Sequence, residues 1–423
     1  MEKSCSIGCM MNVKNKPLEG FRCHMDFNRA RGLMRKRGLD ALVASTAQNF
    51  YYASGYRVRR AAQLPAVAVV PAHPGLGPVV IASLSHESLV RQHSCIKDIR
   101  SYPTWISLVE ANDLIKGKAI KPQELPKQFT PDRVFTMLSD VLKEKGLHTG
   151  IVGIEDNLLT KPNVFSLLSG RNPKAKFVEA ESVFWELRKV KTNDEIKALR
   201  VAADLGVKGI QAVIEGGVLG VTIGELHLRY KRGVLEASNS ANAMDIEAIR
   251  ANISSGDHFG TLECPGYRVT KGDIIWIDCG LTAFGYNSDM GRTFSAGKPG
   301  GLQKKLHTAL KAGYEEAISR VKPGVKMKEI YKALRDTVNK SGFEWFTRGH
   351  MGHMVGIGPG SIEQPPFVSP EEETELEPNM VICVECGTYV VGRFGGFQIE
   401  DMLLITREGH EQLTKLPWDM VEL

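Results

Sequence analysis

The chain has 423 residues, 43% of them hydrophobic and 24% charged, which is enough apolar material for two or three domains with sizeable cores. Its formal net charge of +6 is small for this length and spread along the chain, which argues against the concentrated basic footprint of a nucleic-acid-binding protein. Pro65, Pro71, His73 and Pro74 interrupt the richest apolar run, so no stretch reads as a membrane span. The opening MEKSCSIGCMMNVKNK lacks the apolar core of a secretory signal, and a soluble cytoplasmic protein is the expectation.

Residues 1–24, with Cys5, Cys9, Cys23 and His24, read as a flexible extension. Folded structure is expected from Met25, where Phe27, Leu33 and Met34 form a partial helical stripe ending at Gly38. Strands are predicted over Leu39–Ala44, Ala66–Val70, Val79–Ala82 and Gly150–Ile154, and a helix over Arg133–Lys145. This alternation predicts an α/β domain over 25–185. A charged link, Glu186-Leu-Arg-Lys-Val-Lys191, opens a second domain over 186–423. Thr192-Asn-Asp-Glu195 is a capping box, and Ile196, Leu199, Ala203, Val207 and Ile210 recur at helical spacing behind it.

An internal repeat organises this second domain. Gly220-Val-Thr-Ile-Gly-Glu-Leu226 parallels Gly324-Val-Lys-Met-Lys-Glu-Ile330, and each begins a helix that precedes an acidic strand pair. The first pair follows the turn at Lys271-Gly-Asp273, carries Ile277-Asp278-Cys279-Gly280, and has a second acid at Asp289. The second pair follows Glu377-Pro-Asn379, carries Val384-Glu385-Cys386-Gly387, and has a second acid at Glu400. Two such halves predict a pseudo-twofold, barrel-like sheet with the four acids on its axis. Carboxylates at the ends of apolar strands are costly to bury unless paired, protonated or bound to a cation, and two divalent ions would satisfy all four. Cys264, Cys279, Cys383 and Cys386 lie in or beside these strands and read as free thiols. Cys383 and Cys386 have redox-motif spacing, but positions three apart on a strand face opposite ways.

His353, in Arg348-Gly-His-Met-Gly-His-Met-Val-Gly356, completes an Asp, Asp, His, Glu, Glu set. With it the chain resembles the pita-bread metallohydrolases: Xaa-Pro dipeptidase (prolidase), aminopeptidase P, methionine aminopeptidase and the metal-free creatinase. The resemblance extends over most of the chain. It includes Gly285-Tyr-Asn-Ser-Asp-Met-Gly-Arg-Thr-Phe294, Ile399-Glu-Asp401, the Asn49–Tyr56 turn and the Arg188-Lys-Val-Lys191 link. It implies an α/β N-terminal domain followed by an α+β pita-bread catalytic domain with the internal pseudo-twofold repeat. It further implies a homodimer and a metal-dependent hydrolase acting on a small peptide or other small molecule.

By the same resemblance Asp278 holds one ion, His353 and Glu385 hold the other, and Asp289 and Glu400 bridge. Glu385 or Glu400 then carries a proton from water to the leaving group. An oxygen-rich set with one imidazole suits Mn²⁺, Co²⁺, Fe²⁺ or Zn²⁺. Three flanking positions depart from the peptidase pattern. Leu262 and Glu363 stand where histidines are usual, the latter after an apparent insertion at Gly358-Pro-Gly360, and Gln398 stands where an arginine is usual. His258 and His350 are candidates to replace the missing groups, so His258, His350, Glu363 and Gln398 are the expected substrate contacts. The departures should make peptide cleavage poor beside the enzyme's true reaction, because one oxyanion donor alone is worth about a hundredfold or more. They keep two alternatives open beside the Xaa-Pro peptidase: a hydrolase or lyase of creatine, ectoine or dimethylsulfoniopropionate on the same fold, and a non-catalytic binding module.

Overall fold

The computed structural model describes residues 25–58, 65–109, 111–119, 125, 132–240, 245–256, 264–358 and 360–423. The first helix, Phe27–Lys36, is capped by Asp26, whose carboxylate accepts from the backbone N–H groups of Asn28 and Arg29. Its Met34 is buried and Phe27 and Leu33 are half-buried, as the stripe predicts.

Six strands follow: β1 (Ala41–Ala44), β2 (Val67–Pro71), β3 (Val79–Ser83), β4 (Asp98–Tyr102), β5 (Ile151–Ile154) and β6 (Lys176–Glu179). They form one mixed sheet in the order β4-β3-β2-β1-β5-β6. Its central strands are continuous apolar runs because both faces are covered. Ala41, Val43, Val67, Val69 and Ile81 meet Val134, Leu138 and Leu142 of helix Asp132–Glu144, while Leu42, Ala68, Val70 and Val80 join the core that holds Phe50, Tyr52 and Met34.

The first four residues of the expected link at 186–191 form the end of a helix, Glu181–Lys189, and Val190 leaves it in extended conformation. Val183, Phe184 and Leu187 are buried along it, so the apolar stripe carries the helix through the charged residues. The next helix, Asn193–Glu215, opens with the predicted capping box.

The second sheet contains β7 (Ile246–Ser255), β8 (Ile274–Ala283), β9 (Tyr286–Asn287), β10 (Met290–Ser295), β11 (Gly352–Met354), β12 (Gln364–Phe367), β13 (Val381–Val390), β14 (Gly395–Ile405), β15 (His410–Gln412) and β16 (Val421–Glu422). Its main path is β12-β11-β13-β14-β10-β8-β7, so the two acidic hairpins meet where β14 pairs antiparallel with β10. The path is open, unlike a closed barrel. It curls so that Tyr286, in β9, bridges to Ile357 beyond β11.

Both repeat units begin helices as expected, Ile223–Ser240 and Met327–Lys340. The first packs with Asn193–Glu215 behind β7 and β8, and the second with Gly301–Ser319 behind β13 and β14. The convex face is therefore dry. Ile275, Ile277 and Cys279 enter one helix layer, and Val384, Cys386, Phe397 and Ile399 enter the other. Alternation turns Trp276, Asp278, Cys383, Glu385, Gln398 and Glu400 to the concave face. Cys264, Cys279, Cys383 and Cys386 are free thiols, with Cys264 half-buried and the others buried, whereas Cys95 is disulfide-bonded. Among the described residues no helix is long and apolar enough to cross a membrane.

One polar network is enclosed next to the acids. Arg292 and Asp401 are almost wholly buried and pair at 2.6 Å. Asp401 also accepts from Tyr314 Oη, Thr414 Oγ1 and Trp418 Nε1, while Arg292 donates to the carbonyls of Gly291, Glu400, Leu416 and Pro417. The network ties β10, β14, helix Gly301–Ser319 and the C-terminal segment together directly behind Glu400. Asp401→Ala should cost about 3–5 kcal/mol of stability, because it leaves a buried guanidinium without its counter-charge. Equilibrium denaturant unfolding followed by far-ultraviolet circular dichroism measures this, and a loss under about 1 kcal/mol would contradict it.

Candidate active site

Strand register sets the acids side by side. Asp278 on β8 lies opposite Gly291 on β10, Gly291 lies opposite Glu400 on β14, and Glu400 lies opposite Glu385 on β13. These positions form one row across four strands, with neighbours about 5 Å apart. Asp289 stands two residues before Gly291 and so belongs to the same face. Glycine is required within the row, because a Cβ at Gly291 would come 2.6 Å from Gln398 Cγ.

His353 comes from β11 beyond Glu385. Its Nδ1 donates to the carbonyl of Met354 at 3.0 Å, which aims Nε2 at Asp289 Oδ2 and Glu400 Oε1, each 3.6 Å away. Those separations are too long for hydrogen bonds, and a bare Nε2 facing two carboxylate oxygens is repulsive unless a proton or a metal ion lies between them. The donor set therefore fits a divalent cation. Two three-residue groups have ligand atoms within 4.8 Å of one another: Asp278, Asp289 and Glu400, and His353, Cys383 and Glu400.

Burial, with Asp289 next, pushes the Glu400 carboxyl up to about 7. Burial followed by Asp289 and Glu400 pushes Asp278 up, and burial raises Asp289 against the opposing Arg250. His353 is raised to about 10: burial opposes its charge, but the neighbouring carboxylates of Glu400 and Asp289 outweigh it. Glu385 is lowered, since His350 and Arg348 overcome its burial.

Two arginines that sequence reading did not assign to the site supply part of the compensation. Arg250, from β7, pairs with Asp289 and lies 3.8 Å from Asp278. It reaches them over Gly280, where a Cβ would sit 3.0 Å from its Nη2. The signal is this glycine two residues after Asp278, but using it requires the β7–β8 register. Arg348, just before β11, pairs with Glu385 at 2.7 Å, and its buried Nη1 has no hydrogen-bond partner among the described residues.

The expected substrate contacts fall in three places. Gln398 bridges two neighbours, donating to Glu400 Oε2 at 2.6 Å and accepting from Trp276 Nε1 at 2.8 Å, so it orients a candidate ligand. His350 is brought to the site between Glu385 and Glu363, 3.3 Å from each, and Glu363, chiefly, and Glu385 raise it to about 9. His258 and Leu262 lie outside the described residues.

Residues 197–407 match the model of metallopeptidase family M24, and residues 27–190 match the creatinase/prolidase N-terminal domain. The chain belongs to metallopeptidase family M24. This metallopeptidase is 30% identical over 287 residues to the Xaa-Pro dipeptidase of Pyrococcus furiosus, an alignment covering 66% of this chain and 77% of that one. It is 26% identical over 376 residues to an uncharacterized peptidase of Staphylococcus aureus, covering 89% and 94%. Among solved structures, the Xaa-Pro dipeptidase from Bacillus anthracis shares its fold with a TM-score of 0.76 at 21% identity, covering 94% of this chain and 99% of that one. The metallopeptidase is thus a metal-dependent hydrolase with the expected pita-bread fold.

Because Gln398 fixes a carboxylate beside His353, Gln398→Leu should weaken divalent-metal affinity by about 10- to 100-fold. Competition against a chromophoric chelator measures it, and an unchanged affinity would show that Glu400 needs no such support.

Proposed function

We propose that this metallopeptidase is a dinuclear Xaa-Pro dipeptidase. The observation that carries the reading is the orientation of His353 Nε2 toward Asp289 and Glu400 beside the row of acids. Asp278, Asp289, His353, Glu385 and Glu400 would hold two ions drawn from Mn²⁺, Co²⁺, Fe²⁺ or Zn²⁺. Such ions supply an activated water near neutral pH and polarise the scissile carbonyl.

The chain's own residues then move the proton and place the substrate. Glu385 is the proton carrier with a relay behind it: its Oε1 faces His350 Nδ1, and His350 Nε2 faces Glu363, whose side chain is 52% exposed. This path leads from the acids to solvent where the peptidase pattern has a histidine. The unpartnered Nη1 of Arg348 is suited to the carboxylate of a short peptide, and Arg250 brings a second positive charge to the same face. In this reading the two guanidiniums take over the charge that an arginine at position 398 would bring.

We assign the catalytic module to 186–423 and the preceding module to 25–185. The second is tied to the first by Tyr51 Oη, which donates to the carbonyl of Phe284 at 3.1 Å. We also assign a homodimer.

Metal analysis of protein purified without chelator should give close to two ions per chain, and a value near zero after reconstitution with Mn²⁺, Co²⁺ and Zn²⁺ would point to metal-free, creatinase-like chemistry. Asp289→Asn should retain less than a few per cent of turnover with the fold intact. Assayed with each metal, Ala-Pro and Gly-Pro should be hydrolysed with kcat/KM of about 10⁴ M⁻¹s⁻¹ or more, within the ordinary enzymatic range. Turnover of creatine, ectoine or dimethylsulfoniopropionate without dipeptide hydrolysis would overturn the substrate assignment.

A further inference from the structure

Cys383 is a thiol on the acidic face that the mechanism above leaves without a task. It stands two residues before Glu385 on β13, so both side chains share a face, and it lies directly opposite His353 on β11. Its Sγ and ligand atoms of His353 and Glu400 are within 4.8 Å of one another, and all three residues are buried. Donors placed tetrahedrally on one ion, with metal–sulfur and metal–nitrogen lengths of about 2.3 and 2.1 Å, stand about 3.6 Å apart, so a closing movement of about 1 Å brings them onto a common ion. The Sγ is weakly held otherwise, 3.9 Å from the carbonyl oxygen of Asp289. Cys383 packs with the apolar core as Cys279 and Cys386 do, but those two lie on the convex face against the helices, whereas Cys383 lies on the face of β13 that carries Glu385.

The geometry points to Cys383 as a sulfur ligand that joins His353 and Glu400 on one ion of the centre. The inference rests on the metal-centre reading above and adds a soft donor to an otherwise oxygen-rich site. As the metal–Sγ bond replaces the S–H bond, the proton leaves to solvent. An N,O,S set favours Zn²⁺, Co²⁺ or Fe²⁺ over Mn²⁺ at that position, while the Asp278 side keeps oxygen donors alone.

Cobalt substitution separates the two readings. Titrating the metal-depleted full-length protein with Co²⁺ should develop visible d–d bands over two equivalents. A near-ultraviolet thiolate-to-cobalt charge-transfer band should accompany only one of them. That band should be absent from Cys383→Ser and Cys383→Ala with the d–d bands retained, and should persist in Cys279→Ser. The preference for Zn²⁺ over Mn²⁺, measured by competition, should fall at least tenfold in both Cys383 variants. Normal d–d bands without a charge-transfer band in the unmodified protein would overturn the inference while sparing the metal centre, and require no variant to fold. A band that survives both Cys383 substitutions would overturn it as well. Absence of any cobalt bands would overturn both readings together.

Discussion

Like charges set directly opposite one another across strands are the constraint from which the rest of the site follows. Antiparallel register leaves Glu385 facing Glu400, and Gly291 alone separates Glu400 from Asp278. Directly opposed like charges destabilise a sheet, and burial makes the repulsion worse. Arg250 and Arg348 contact the row from its two sides and a proton on His353 adds a third positive charge, so the four carboxylates are left in clear excess once that proton is given up for an ion. Divalent cations bound on the row would remove that excess, which would tie metal binding to the stability of the sheet as well as to chemistry.

The scaffold keeps this arrangement by drying everything behind it. Helix pairs seal the convex face of each half, and the enclosed Arg292–Asp401 network fastens β10 to β14 next to Glu400. Charge on the concave face is thereby held in place by an apolar layer and a fully partnered ion pair. The N-terminal module approaches the same rim through helix Ala47–Ser54. The start of that helix is anchored by Glu155, which accepts from Thr46 Oγ1 and Asn49 Nδ2 at 2.6 Å each.

Much of this was legible from local pattern. Asp278 and Glu385 each end an apolar β-branched run, the capping box at Thr192 marks a helix start, and the repeat at Gly220 and Gly324 signals two related halves. What was not legible depends on long-range pairing. Arg250 reaches the acids only because β7 places it opposite Gly280, and Arg348 only because the segment before β11 lies beside β13. Gln398 was expected at the substrate, but register sets it two residues from Glu400 on the same face, where it orients that carboxylate. The charged link at 186–191 marks a boundary in composition, and buried Val183, Phe184 and Leu187 carry a helix into it as far as Lys189. A polar count does not reveal on which side of a helix the charges lie.

The central claim is that the concave row is a two-cation centre. Anomalous X-ray scattering from crystals grown with Mn²⁺, recorded above and below the manganese edge, tests it most directly. The account predicts two peaks roughly 3.5–4 Å apart, the spacing usual for paired hydrolytic ions, enclosed by Asp278, Asp289, His353, Glu385 and Glu400. A well-ordered map with no anomalous peak on this face, and with the Arg250 and Arg348 ion pairs kept, would contradict it.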